Sequence, residues 1–256
     1  MISDWRLKAA FPLLSRIPST LPWRLAAYIG REPSSDRVGT ERLLQDRFAQ
    51  VFPGASQETL CKWARAHVDM LAQEMVDALA FHRLGQRGGP SVDLVGLEHA
   101  AALAQHGKGF ILVLNHYDRL LTAPVALAQR GIASNVLTMP ILNNPDLGAE
   151  QRRFLMRKVH AYTQATRGQW LTSDHSLRPV YDGLRSGQVW VILADAWRPE
   201  FGRLRAHPFL GGELSVPTGI ERLAKSTGVP LLHAITATRD AGHLQVRLEP
   251  LPENPT

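Results

Sequence analysis

The sequence predicts an α/β fold, a mainly parallel central sheet flanked by helices, with an N-terminal helical extension. Three observations carry that expectation. Phe110 to Leu114 is an apolar run without polar alternation, which suits a strand covered on both faces. After the turn cluster Gln86-Arg87-Gly88-Gly89-Pro90, strand-like and helix-like runs alternate, as a parallel sheet with crossover helices requires. Before that cluster, Leu60, Trp63, Ala64, Val68, Leu71, Met75 and Leu79 recur at helical spacing.

Lys8 to Ile29 mix bulky apolar and aromatic groups with Arg16 and Arg24, and Pro12, Pro18 and Pro22 break the run into short pieces. Two outcomes fit this composition equally: a segment lying in a membrane interface, and a helix packed on the core. Residues 31 to 38 read as a linker. Helical blocks follow at about 39 to 52 and 56 to 84, the second behind Pro53-Gly54 with Ser56 as its cap. They are expected to form a hairpin covering one side of the sheet. The chain thus divides into an N-terminal helical segment, 1 to 85, a candidate for membrane association, and a compact α/β core, 86 to 256.

Within the core, strands are expected near 92 to 95, 110 to 114, 135 to 139, 189 to 193, 230 to 235 and 244 to 249. Helices are expected over 97 to 105, up to Gly131, and over 147 to 165, 176 to 186 and 217 to 227. Pro124 sets one boundary: a helix starting at Thr122 holds it in the tolerant first turn, which leaves Asn115 to Leu121 as a loop.

The totals narrow the function. A chain of 256 residues, 45% hydrophobic and 20% charged, buries a sizeable core and is not disordered throughout. Its net charge of +6 favours anionic partners, and charge alone does not choose among phospholipid head groups, a phosphorylated glycolipid, nucleic acid and an acidic carrier protein. The single Cys61 excludes an internal disulfide and a thiolate zinc cluster, and its helical setting makes it structural. No secretory leader and no spanning helix is expected, and a reducing, cytoplasmic setting follows. No metal is expected, because the histidines fall in no ligand spacing.

Candidate chemistry gathers where the Phe110 to Leu114 strand stops. Open α/β sheets place ligands at the carboxyl ends of their strands. His116 is the candidate base, since a neutral imidazole can take a proton from an attacking hydroxyl or amine. Asp118 can fold back to orient it, or cap the following helix. Asn115 and Arg119 flank the base as candidate substrate-binding residues. Asp195, Trp197 and Arg198 follow Val189 to Leu193 and fall on the same rim, with Arg198 suited to a phosphate or carboxylate. Asp195 and Arg198 can equally form a surface pair ending the strand. Arg152, Arg153, Arg157 and Lys158 make a basic run, either solvated or docking onto an acidic carrier or a membrane. Ser173-Asp174-His175 holds hydrolase residue types in direct succession and reads as a helix cap at Ser173 or Asp174.

An ordered series of short motifs runs from Val92 to Pro250: Val95-Gly96-Leu97-Glu98-His99, Gly109 to His116, Asn144-Pro145, Leu184-Arg185-Ser186-Gly187, Leu193-Ala194-Asp195, Pro208-Phe209-Leu210-Gly211-Gly212, Val216-Pro217-Thr218-Gly219 and Thr227-Gly228-Val229-Pro230. In order and spacing it resembles the bacterial lauroyl/myristoyl lipid A acyltransferase family, within the lysophospholipid acyltransferase superfamily. The resemblance implies an α/β fold with added N-terminal helices and peripheral contact with the cytoplasmic face of the inner membrane. It also implies acyl transfer from acyl carrier protein, whose phosphopantetheine carries the acyl group, to a lipid or small-molecule acceptor. No other cofactor and no nucleic-acid partner is expected. The family's histidine corresponds to His116, and the aspartate of its later strand to Asp195. Departures are Leu121 where the family has an acid five residues after the histidine, Met139 where it has arginine, and Ala196 where it has glutamine. They imply a rearranged site: a divergent acyltransferase with His116 as base, Asp118 or Asp195 orienting it and Arg119 or Arg198 binding acceptor phosphate or the carrier's phosphopantetheine; a thioester hydrolase or cyclase; or a non-catalytic descendant that binds an acyl carrier or lipid.

Overall fold

The computed structural model describes residues 5–30, 35–140, 147–195 and 203–252. Its centre is a seven-stranded sheet, mostly parallel, with helices on both faces, as the sequence predicts. The strands are β1 (Ser91–Val95), β2 (Phe110–Leu114), β3 (Ser134–Thr138), β4 (Trp170–Thr172), β5 (Val189–Leu193), β8 (Leu231–Asp240) and β9 (His243–Pro250), in the order β1-β9-β8-β2-β5-β3-β4. From β8 through β4 they are parallel; β9 turns back antiparallel to β8, and β1 pairs with it in parallel. A separate antiparallel hairpin, β6 (Leu204–Phe209) with β7 (Gly212–Pro217), lies between β5 and β8 in the chain.

All five residues of β2 are buried, which is why the run carries no polar side chain. Phe110, Leu112 and Leu114 face one cluster and Ile111 and Val113 the other, following strand alternation. The first cluster also contains Phe11, Trp23 and Val76 from the N-terminal helices α1 (Phe11–Leu14), α2 (Leu21–Gly30) and α4 (Gln57–Ala80). Lys8 to Ile29 therefore packs on the core through one face. Its other face exposes Leu13, Ile17, Leu21 and Tyr28. Helix α3 (Ser35–Val51) packs on α4, so the expected helical hairpin forms, and α4 starts behind Ser56, whose side chain accepts from the Thr59 amide.

Helices α5 (Leu97–Gln105), α6 (Thr122–Gln129), α7 (Ala149–Thr166), α8 (Arg178–Arg185) and α9 (Gly219–Thr227) complete the core. Helix α6 starts where Pro124 requires. The Ser173-Asp174-His175 cap does not form: α8 starts later, at Arg178, and Thr172 Oγ1 instead donates to Asp174 Oδ1 at 2.5 Å, while the Ser173 amide donates to the Thr138 carbonyl at 2.8 Å. Among the described residues, no helix is long and apolar enough to cross a membrane.

Gly109 shows how tightly β2 enters the sheet. A Cβ there would lie 2.2 Å from the Leu184 carbonyl oxygen and 2.8 Å from that of Gln188, both rigid backbone. Gly109→Ala is expected to destabilise the fold by about 1–3 kcal/mol, read as a lower midpoint in urea denaturation.

Candidate active site

Strands β2 and β5 are parallel and in register, Leu114 opposite Leu193, and the Ala194 amide donates to the Leu114 carbonyl at 2.8 Å. The same register carries His116 and Asp195 out of the sheet side by side. The His116 backbone N–H donates to Asp195 Oδ2 at 2.7 Å, and its ring Nδ1 lies 2.9 Å from Asp195 Oδ1. An ionised carboxylate only accepts, so Nδ1 carries the proton and Nε2 keeps its lone pair in the neutral ring. This two-point contact fixes the ring's tautomer and orientation.

The hydrogen bond to Asp195 raises the pKa of His116; burial opposes it, and the Asp195 charge adds to it. Burial alone would raise the Asp195 carboxyl, but the ring and backbone hydrogen bonds from His116 outweigh it and hold the group below its usual range. A base must be neutral, so activity depending on His116 is expected to rise with pH through a value above 6.5. Asp195→Asn removes the raising interaction. Its rising limb is expected at lower pH than in the wild type, with a lower plateau, as a pH–rate profile would read.

His116 lies on the wall of a cavity of about 500 Å³. Leu121, Met139, Leu155, Ile192 and Leu223 line it with hydrocarbon, while Glu74 of α4 and Lys158 of α7 bring an ion pair, Nζ to Oε1 3.2 Å. The two departures from the family motif, Leu121 and Met139, thus fall on the cavity wall, and opposite charges enter the same space from two helices. Sequence reasoning missed Glu74 and placed Lys158 in the basic run of α7, whereas its side chain is largely buried against Glu74. The available signal was Glu74 itself, set beside Gln73, Val76 and Asp77, all buried on the core side of α4.

The other expected site residues are placed differently. Asp118 does not turn to His116. Its backbone is left-handed, φ 50°, and its carboxylate accepts from the Thr238 amide and hydroxyl, both at 2.6 Å, and from the Arg119 amide at 2.8 Å. It pins the loop to β8. Arg119 is not a substrate ligand: it is buried and forks onto Asp77 of α4, Nε to Oδ2 and Nη2 to Oδ1 both 2.5 Å. Asn115 does not line the cavity; its Oδ1 accepts from His233 Nε2 at 2.8 Å. Trp197 and Arg198 lie outside the described residues, as do Ala196 and Asn144-Pro145. Ser173, Arg222 and Pro217 join the cavity wall instead. Among the described residues, no group of three or more His, Cys, Asp and Glu side chains is arranged to hold a metal.

No protein-family model matches the sequence, and no curated protein matches it.

Proposed function

We propose that the protein is an acyltransferase that moves an acyl group from a carrier-protein thioester to a hydroxyl or amine, with His116 as general base. The observation that carries this is the His116–Asp195 pair on the wall of a largely apolar cavity. Neutral Nε2 takes the acceptor's proton as its oxygen or nitrogen attacks the thioester carbonyl. The carbon–sulfur bond breaks, and the imidazolium returns the proton to the departing thiolate. Asp195 supports that imidazolium. The cavity's hydrocarbon is chemically suited to an acyl chain.

The ordered motif series supports a carrier-bound donor through its resemblance to the lipid A acyltransferases. Exposed Arg152, Arg153 and Arg157 on α7, and exposed Arg222 at the cavity, complement an acidic carrier and its phosphopantetheine phosphate. The exposed apolar face of α1 and α2 suits peripheral contact with the cytoplasmic face of a membrane. Thioester hydrolysis is a second reading, favoured by the 58% exposure of the His116 side chain, which admits water as the acceptor. Incubating the protein with acylated carrier proteins and candidate acceptors, followed by mass spectrometry, tests both. Acyl transfer is expected, hydrolysis alone selects the second reading, and donors that stay intact under every condition overturn the two together.

A further inference from the structure

The cavity beside His116 reaches both faces of the sheet. Val136, Leu193 and Trp170 line it on the face covered by α4 and α7, while Ile192, Val180 and Leu223 line it on the face covered by α8 and α9. Alternation along β3 and β5 accounts for this double reach. The two sides differ in chemistry. The interior towards α8 and α9 is lined mainly by apolar side chains, with the Tyr181 ring among them and Arg222 at its exposed edge. The side towards α4 holds the Glu74–Lys158 pair, with side chains only 13% and 16% exposed. Thr138 also lines the cavity, and its buried Oγ1 has no hydrogen-bond partner among the described residues.

A shielded ion pair is a poor way to fasten two helices, because desolvation cancels much of its attraction. Covering this pair with an acyl chain would strip water from the remaining Lys158 protons and the second Glu74 oxygen without replacing it. A head group that offers an anion to Lys158 and an ammonium to Glu74 replaces the water at both. Neighbouring opposite charges, as in an α-amino acid, match a pair set 3.2 Å apart, whereas a neutral sugar offers only dipoles.

We propose that Glu74, Lys158 and Thr138 form a head-group subsite for an α-amino-acid-type zwitterion, with hydrocarbon occupying the α8 and α9 side. That a further hydroxyl or amine borne by the same molecule is the acyl acceptor rests on the transfer reading above, because the ammonium held by Glu74 has no lone pair with which to attack. Glu74 raises and Lys158 lowers the protonation of His116, so both charges are felt at the base.

Isothermal titration with amphiphiles that share an octyl tail tests the subsite without turnover: O-octylserine, octylamine, nonanoate and octyl glucoside, each against wild type, Glu74→Gln and Lys158→Met. O-octylserine is expected to bind tightest and to lose about tenfold in affinity in either variant, with octyl glucoside unchanged. Absence of O-octylserine binding, or equal affinity for any of the other three, overturns the proposal. So do variants that lower the melting temperature but leave O-octylserine affinity where it was, since the pair is then only a helix staple. Binding of O-octylserine together with donors that stay intact, or are only hydrolysed, in the carrier-protein assay keeps the subsite and removes the transfer reading.

Discussion

His116→Ala abolishes acyl transfer in the expected result and leaves the protein folded. Removing a positioned general base costs roughly a hundredfold to ten-thousandfold in rate. The fold depends little on this ring. Its side chain is 58% exposed, and its contact with Asp195 is of the solvent-screened kind worth about 0–1 kcal/mol. Loss of acyl groups from a carrier protein, followed by mass spectrometry, should therefore collapse while the urea midpoint hardly moves. Full transfer in the variant would dismiss His116 as base, and unfolding would dismiss the account of its surroundings.

Asp77→Ala is expected to act the opposite way, first on stability. Asp77 and Arg119 have side-chain exposures of 2% and 0%, and the Trp23 Nε1–H also donates to Asp77 Oδ1 at 2.7 Å. Truncating the acid leaves a guanidinium buried without its counter-charge, and breaking such a pair costs about 3–5 kcal/mol. Replacing both partners, Asp77→Leu with Arg119→Leu, removes the orphaned charge and should recover much of that loss. Urea denaturation of the single and double variants measures this. Arg119 follows His116 closely in one loop, so the single variant should also turn over more slowly at temperatures where it remains folded.

The residues explain why some of this was legible in the sequence. The His116–Asp195 pairing was readable at the level of the sheet edge, because two buried apolar runs in parallel strands end in register. Which of the two candidate acids, Asp118 or Asp195, holds the ring was not readable. Asp118 lies closer in sequence, but its left-handed backbone aims the carboxylate at Thr238, and no local pattern announces that turn. Arg119 looked like a free cation because its partner lies 42 positions away. A clue did exist. Asp77 stands among Val76, Ala78 and Ala80 on the buried stretch of α4, where an acid needs a counter-charge. Strand β4 is only three residues long, too short for a periodicity signal. The β6–β7 hairpin escaped for another reason: every residue of β6 is exposed, so its pairing leaves no apolar alternation to read.

The core shared by the N-terminal helices and the sheet limits how the chain can be shortened. A fragment starting at β1 would lose Phe11, Trp23 and Val76 from the cluster that holds Phe110, Leu112 and Leu114, and would uncover the side of α7 that packs against α4. Such a bare side invites self-association, so expression of residues 86–256 alone should yield aggregates. The leading helices are thus a structural cover as much as any appendage, and a protease nick ahead of β1 would be survivable only while the severed piece stayed docked.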